Sequence, residues 1–144
     1  VRRVAVVSLL LPLLLAGCGD DKDAYCDAVQ DHQKDLSETL GDGSPDALLK
    51  ALGTFQDLAD QAPADITDEW QQVIRSLKSL KQALQDAGVD PATYDRAHPP
   101  ASLTTDEKKK IDAAAADVGS GATLQALSDL DQQARDVCHT PLTV

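Results

Sequence analysis

Three cysteines, three histidines and 24 aspartates and glutamates are the side chains with which this 144-residue chain could do chemistry. Cys18, Cys26 and Cys138 contain no C-x-x-C pair, the short spacing with which two thiolates grip zinc or cycle as a redox couple. His32 stands among Asp27, Asp31 and Asp35. On a helix Asp31 and Asp35 share a face at i,i+4 and Asp27 extends it, which offers imidazole and carboxylates to a cation. A built zinc site calls for paired histidines or a compact cysteine-histidine set, so this row reads as a hydrated acidic face. His139 follows Cys138 directly, but His32 lies nearly two turns from Cys26, and no site is assumed from that pair. Trp70 invites a carbohydrate-stacking role, yet it falls within a regular apolar seam, and an aromatic content of 3% leaves few partners for a sugar platform. Lys108-Lys109-Lys110 fan around most of a helix circumference instead of forming one patch. No glycine-rich phosphate loop, G-x-S-x-G elbow or H-E-x-x-H pair occurs, and Ser76 and Ser79 have no histidine near them in sequence. The expectation is a non-enzymatic protein without catalytic residues, bound metal or cofactor.

The amino-terminal end carries a different kind of chemistry. Arg2 and Arg3 form a positive region, and Val4 to Leu15 an apolar run of about a dozen residues, long enough for a signal-peptide core and too short for a membrane span. Leu15-Ala16-Gly17-Cys18 then closes the run with two small residues and a cysteine. This stretch resembles the lipobox of bacterial lipoprotein precursors. The resemblance implies a diacylglyceryl group on the Cys18 sulfur, cleavage between Gly17 and Cys18, and a mature chain that starts at the lipidated cysteine. With each buried methylene contributing roughly 0.8 kcal/mol, two acyl chains hold a protein on a bilayer far more firmly than one. The competing reading is an ordinary secretory signal that ends in an incidental cysteine. Val4-Ala5 after the arginine pair favours the general secretory route over a twin-arginine signal. With no methionine in the chain, Val1 is expected to be the literal translation of a non-AUG start codon, which fits a bacterial source.

Once Cys18 is given to lipid, an extracytoplasmic domain with two remaining cysteines is expected to pair them, Cys26 with Cys138. Such a bridge joins the two ends of the folded region, and a loop on the order of 100 residues removes roughly 4 to 5 kcal/mol of unfolded-state freedom.

Charge narrows the partners. Loss of Arg2 and Arg3 leaves the 24 acidic side chains untouched and takes the formal net charge from −11 to −13, with the two lost cations as the difference. A domain so acidic is repelled by nucleic-acid backbones and anionic headgroups, which excludes nucleic acid as a main partner.

The elements that would position these groups follow from apolar periodicity. Cys26, Val29, Leu36 and Leu40 recur at three- and four-residue steps over Lys22 to Leu40, with Gln33 at the missing core position. Gly41-Asp42-Gly43 stops this helix, and Ser44-Pro45-Asp46 restarts the chain with a capping oxygen at Ser44 and proline in the first turn. Helix two runs to about Ala62 with Leu48, Leu52, Phe55 and Ala59 inward. After Pro63-Ala64-Asp65, helix three carries a seam of Ile66, Trp70, Val73, Leu77, Leu80, Leu84 and Ala87. Gly88 ends it, and a short turn or helix around Tyr94 precedes an extended Pro99-Pro100 connection. Thr104 and Glu107 have capping-box spacing for helix four, and Gly119-Ser120-Gly121 interrupts it. The last helix, about Ala122 to Cys138, is expected to bury Leu124, Leu127, Leu130, Ala134 and Val137.

The fold class is therefore all-α, an up-and-down helical bundle of four main helices, the last either split or preceded by a shorter helix, closed by an N-to-C-terminal disulfide. Residues 1–17 read as the lipoprotein signal peptide, 18–24 as the lipidated cysteine and short polar tether, 25–140 as the helical bundle domain, and 141–144 as a C-terminal tail. The lipobox, the outer cysteine pair and the Pro63-Ala64-Asp65-Ile66 to Trp70 lead into a heptad helix make the chain resemble the small helical lipoproteins of actinobacteria, which supply no catalytic residues to carry over. The expected function is a lipid-anchored interaction or binding module on the extracytoplasmic face of the cell membrane, docking an envelope protein or component with its acidic surface. The alternative is a small-ligand or metal-ion carrier that uses a cavity between helices.

Overall fold

The computed structural model describes residues 20–144, with side chains from Lys22 onward. The signal segment 1–17, its cleavage point at Gly17 and the lipidated Cys18 lie outside the described residues. The described chain is all-helical, without strands: α1 (Asp20–Gly41), α2 (Ala47–Lys50), α3 (Leu52–Gln61), a 3-10 turn (Ala64–Ile66), α4 (Thr67–Asp86), α5 (Thr105–Val118) and α6 (Gly121–Val137). α4 packs against α3, α5 and α6, and α1 packs against α3 and α6.

Sequence signals fix several boundaries. α5 opens with the full capping box: the Glu107 N–H donates to Thr104 Oγ1 at 3.2 Å, and Glu107 Oε2 accepts the Thr104 N–H at 2.8 Å. α4 ends in a Schellman closure, where Gly88 N–H bonds to Gln85 O and Val89 N–H to Leu84 O, both at 3.0 Å. That geometry requires the left-handed φ of +65° at Gly88, which a residue without Cβ adopts at no steric cost.

Other expectations need correction. Helix two is divided at Ala51 into α2 and α3. The Ser44 hydroxyl does not cap it: Ser44 Oγ accepts from Lys50 Nζ, while Asp46 takes the N-cap position without a side-chain cap. α1 begins at Asp20, inside the segment assigned to the tether. The tail at 141–144 is packed: Leu142 belongs to the core, its N–H donates to Asp131 Oδ1 at 3.0 Å, and Gln33 Nε2 donates to Pro141 O at 2.9 Å. Around Tyr94 the chain takes the turn, the first of the two forms expected there.

The core joins Tyr25, Val29 and Leu36 of α1 to Phe55 and Leu58 of α3, Trp70, Val73 and Leu77 of α4, and Leu130 and Ala134 of α6. In α6 the inward stripe is Thr123, Ala126, Leu130 and Ala134, whereas Leu124 is 55% and Val137 39% exposed. Hydrogen bonds at Thr123 set this rotation. Its hydroxyl donates to Asp117 O at 2.8 Å and accepts from Gln72 Nε2 at 3.1 Å, and its N–H reaches Ser120 Oγ. With Thr123 held inward, Leu124 lies about 100° around the helix and faces water.

Candidate functional site

The chemically capable residues sort into a closed core and an open cleft. Cys26 and Cys138 are bonded, with Cα atoms 5.0 Å apart, so neither is a free thiol. The bridge ties the first turns of α1 to the end of α6. His139, just beyond it, is exposed and takes φ 55°.

Trp70 is 1% exposed and leans on Phe55 at 5.7 Å between ring centroids, which makes it a core residue with no face open for sugar stacking. Tyr25, fully buried beside it, precedes the stripe that begins at neighbouring Cys26, so periodicity alone does not mark it. Burial pushes the Tyr25 hydroxyl up to about 12, against a smaller opposite pull from the Trp70 indole. A phenol so placed stays protonated at any physiological pH and is inert as a base.

α1 and α3 pack together with Val29 and Leu58 in their common core, and the residues one step around each helix line the rim of their junction. Asp27, Asp31 and half-buried His32 from α1 meet Asp57 and Asp60 from α3 across a cleft of about 410 Å³. Asp35, the third acid of the row, is not part of its lining. Among the described residues no lysine or arginine forms an ion pair with these four aspartates; Lys34 pairs with Glu38, and Lys50 with Asp42 and Asp46. Nor do any three His, Cys, Asp or Glu side chains among the described residues converge closely enough to hold a metal ion. The cleft therefore gathers negative charge on an open surface, without a chelating geometry. It suits a basic or cationic partner that brings its own shape.

The sequence marked the α1 half of this cleft and missed Asp57 and Asp60. Their spacing on the polar side of α3 carries no signal of its own; only the docking of α3 beside α1 gives it meaning. Lys108 of the basic run is bound to Asp112 at 2.6 Å, while Lys109 is exposed. Ser76 is buried and its hydroxyl donates to Val73 O at 2.9 Å, which removes it as a nucleophile candidate. No protein-family model, curated protein or solved structure matches this chain.

Proposed function

We propose that the protein is a non-enzymatic, lipid-anchored docking module of the bacterial cell envelope, held by Cys18 on the extracytoplasmic face of the membrane and recognising a basic envelope partner through the α1–α3 cleft. The observation that carries the docking reading is the convergence of Asp27, Asp31, Asp57 and Asp60 on one open cleft without a counter-cation among the described residues. Like charges gathered this way repel one another unless an outside cation relieves them, and a cleft of one sign steers opposite charge toward it.

The start of α1 at Asp20 supports a membrane-proximal position. At 1.5 Å per residue, Cys26 stands only about 9 Å along α1 from Asp20. Among the described residues no helix is long and apolar enough to cross a membrane, so attachment in this reading rests on the lipid. The helices are best described as a four-membered ring of α1, α3, α4 and α6, with α5 laid on the outside of α4; the packing of α1 on α3 and α6, and of α4 on α3, α5 and α6, supports this.

A photo-crosslinking residue placed at Asp31 in cells tests the docking surface, with one at exposed Lys109 on α5 as control. The expected result is a discrete adduct from position 31, absent from position 109, and lost when Asp57→Asn and Asp60→Asn are combined. Equal labelling at both positions, or none at 31, would overturn the cleft as the docking surface.

A further inference from the structure

α3 stands as a ridge between two grooves of opposite sign. On one side lies the α1–α3 cleft with Asp27, Asp31, Asp57 and Asp60. On the other, α3 and α4 border a groove of about 510 Å³, with half-buried Ala59 and Ile74 at its floor and exposed Arg75 and Lys78 along its α4 edge. Asp60 lines both, which sets the two grooves side by side on one face of the molecule.

Neither set of charges is answered within the described chain. Arg75 donates through Nη2 to the neutral Gln72 Oε1 at 3.2 Å, and neither Arg75 nor Lys78 forms an ion pair among the described residues, although Asp60 lines the same groove. The ridge itself carries a second feature without an internal cause. Gly53 is exposed in the first turn of α3, and a Cβ there would meet no atom within 4 Å. Glycine weakens a helix, and the usual reason to keep one on an open face is the close approach of another backbone. Gly53, Asp57 and Asp60 follow at i, i+4 and i+7, so the gap and the two carboxylates share one face of α3.

Patches of opposite sign lying side by side are self-complementary. A second copy turned about a two-fold axis between them lays its basic edge on the first copy's acidic cleft and receives the first copy's basic edge on its own cleft. Repulsion between the two acidic domains as wholes is screened beyond about 10 Å at 0.1 M salt, whereas pairs in direct contact are screened much less.

We infer that the α3 face is a self-association surface: the α1–α3 cleft of one copy takes Arg75 and Lys78 of a second copy, and the reciprocal contact closes a two-fold dimer. The counter-cations that the cleft lacks are then supplied by the other chain. This rests on the docking reading of the cleft and names its basic partner.

Two charge-swapped full chains test it, one carrying Asp27→Lys and Asp31→Lys, the other Arg75→Glu and Lys78→Glu. They are coexpressed under different tags, extracted in mild detergent, and followed by tag pull-down and sedimentation. Wild-type copies should copurify as a dimer at about 0.05 M salt and separate at about 0.5 M. Each swapped chain should lose copurification with itself by about tenfold or more, while the two swapped chains recover it together, because a positive cleft then meets a negative edge on both sides of the axis. Gly53→Gln favours the helix and leaves the charge unchanged, so it should keep helicity and lose the dimer. A monomer at every salt concentration, swapped chains that still pair with themselves, no recovery in the mixture, a Gly53→Gln dimer as tight as wild type, or a species larger than a dimer would overturn the assignment. A monomeric chain whose position 31 crosslinks to a different protein overturns the dimer and leaves the docking reading standing; a monomer without any adduct at 31 overturns both.

Discussion

Removal of the Cys26–Cys138 bridge by a double Cys26→Ala, Cys138→Ala substitution should cost this domain a large share of its stability. The two residues are 112 positions apart, and the chain-entropy relation for a loop of that length gives about 5 kcal/mol at 25 °C. Domains of this size have total stabilities of about 5 to 15 kcal/mol, so the oxidised protein is expected to be robust and the variant marginal. The native contacts at the bridged end do not depend on it entirely. Gln33 still reaches Pro141 O at 2.9 Å, the Val144 N–H reaches Ser37 Oγ at 2.9 Å, and Leu142 stays in the core, so the folded state of the variant should keep its helices. The loss therefore belongs to the unfolded ensemble. Urea unfolding followed by far-UV circular dichroism measures it: with a slope of about 2 kcal/mol/M, the midpoint should fall by about 2 to 3 M, and the slope itself should rise because the uncrosslinked chain exposes more surface. A stability difference under about 1 kcal/mol between oxidised wild type and variant would mean that the open chain is already as restricted as the bridged one, contrary to the loop-closure origin given to the effect.

Further outcomes follow from single positions. Gly88→Ala meets no atom within 4 Å but must hold φ at +65°, so it should destabilise by about 1 to 2 kcal/mol in thermal unfolding, purely through backbone strain. Leu130→Ala, at a fully buried site, should cost about 2 to 5 kcal/mol, while Leu124→Ala, 55% exposed, should stay within about 0.5 kcal/mol; equal costs would contradict the observed rotation of α6. The Thr104 N–H and then its hydroxyl hold the Glu107 carboxyl below its ordinary value, so the stabilisation they supply is present above the usual glutamate range and is lost as pH falls through the folded value. The stability gap between wild type and Glu107→Gln should accordingly narrow between about pH 6 and pH 3, read from urea midpoints. A gap that widens on acidification would reverse the assignment.

Periodicity and capping chemistry made much of the fold legible. The seam from Ile66 through Leu84 is inward at Ile66, Trp70, Val73, Leu77 and Leu84, and the Thr104–Glu107 box forms as its spacing requires. The pairing of Cys26 with Cys138 followed from the assignment of Cys18 to lipid, and the bonded pair stands in the structure. What escaped was anything fixed by a tertiary hydrogen bond or by the docking of two helices. The face of α6 turns on Thr123, a polar residue that sequence patterning places outside and that Gln72 and Asp117 draw inside. A core position at Leu142 cannot be read from the four residues Pro141-Leu142-Thr143-Val144, too short to show a period, because its burial depends on Asp131 accepting the Leu142 N–H and Gln33 donating to Pro141 O. The acidic cleft was half legible for the same reason: Asp27 and Asp31 form a row by spacing alone, whereas Asp57 and Asp60 join them only through the packing of α3 on α1.

Intact-mass analysis of the protein extracted from membranes, with and without reductant, distinguishes a lipid-anchored and disulfide-closed envelope module from a free one. The expected species begins at Cys18, carries a diacylglyceryl adduct on that residue, and gains about 2 Da on reduction. An unmodified chain recovered from the soluble fraction, with Cys26 and Cys138 free, would contradict both the anchor and the closure.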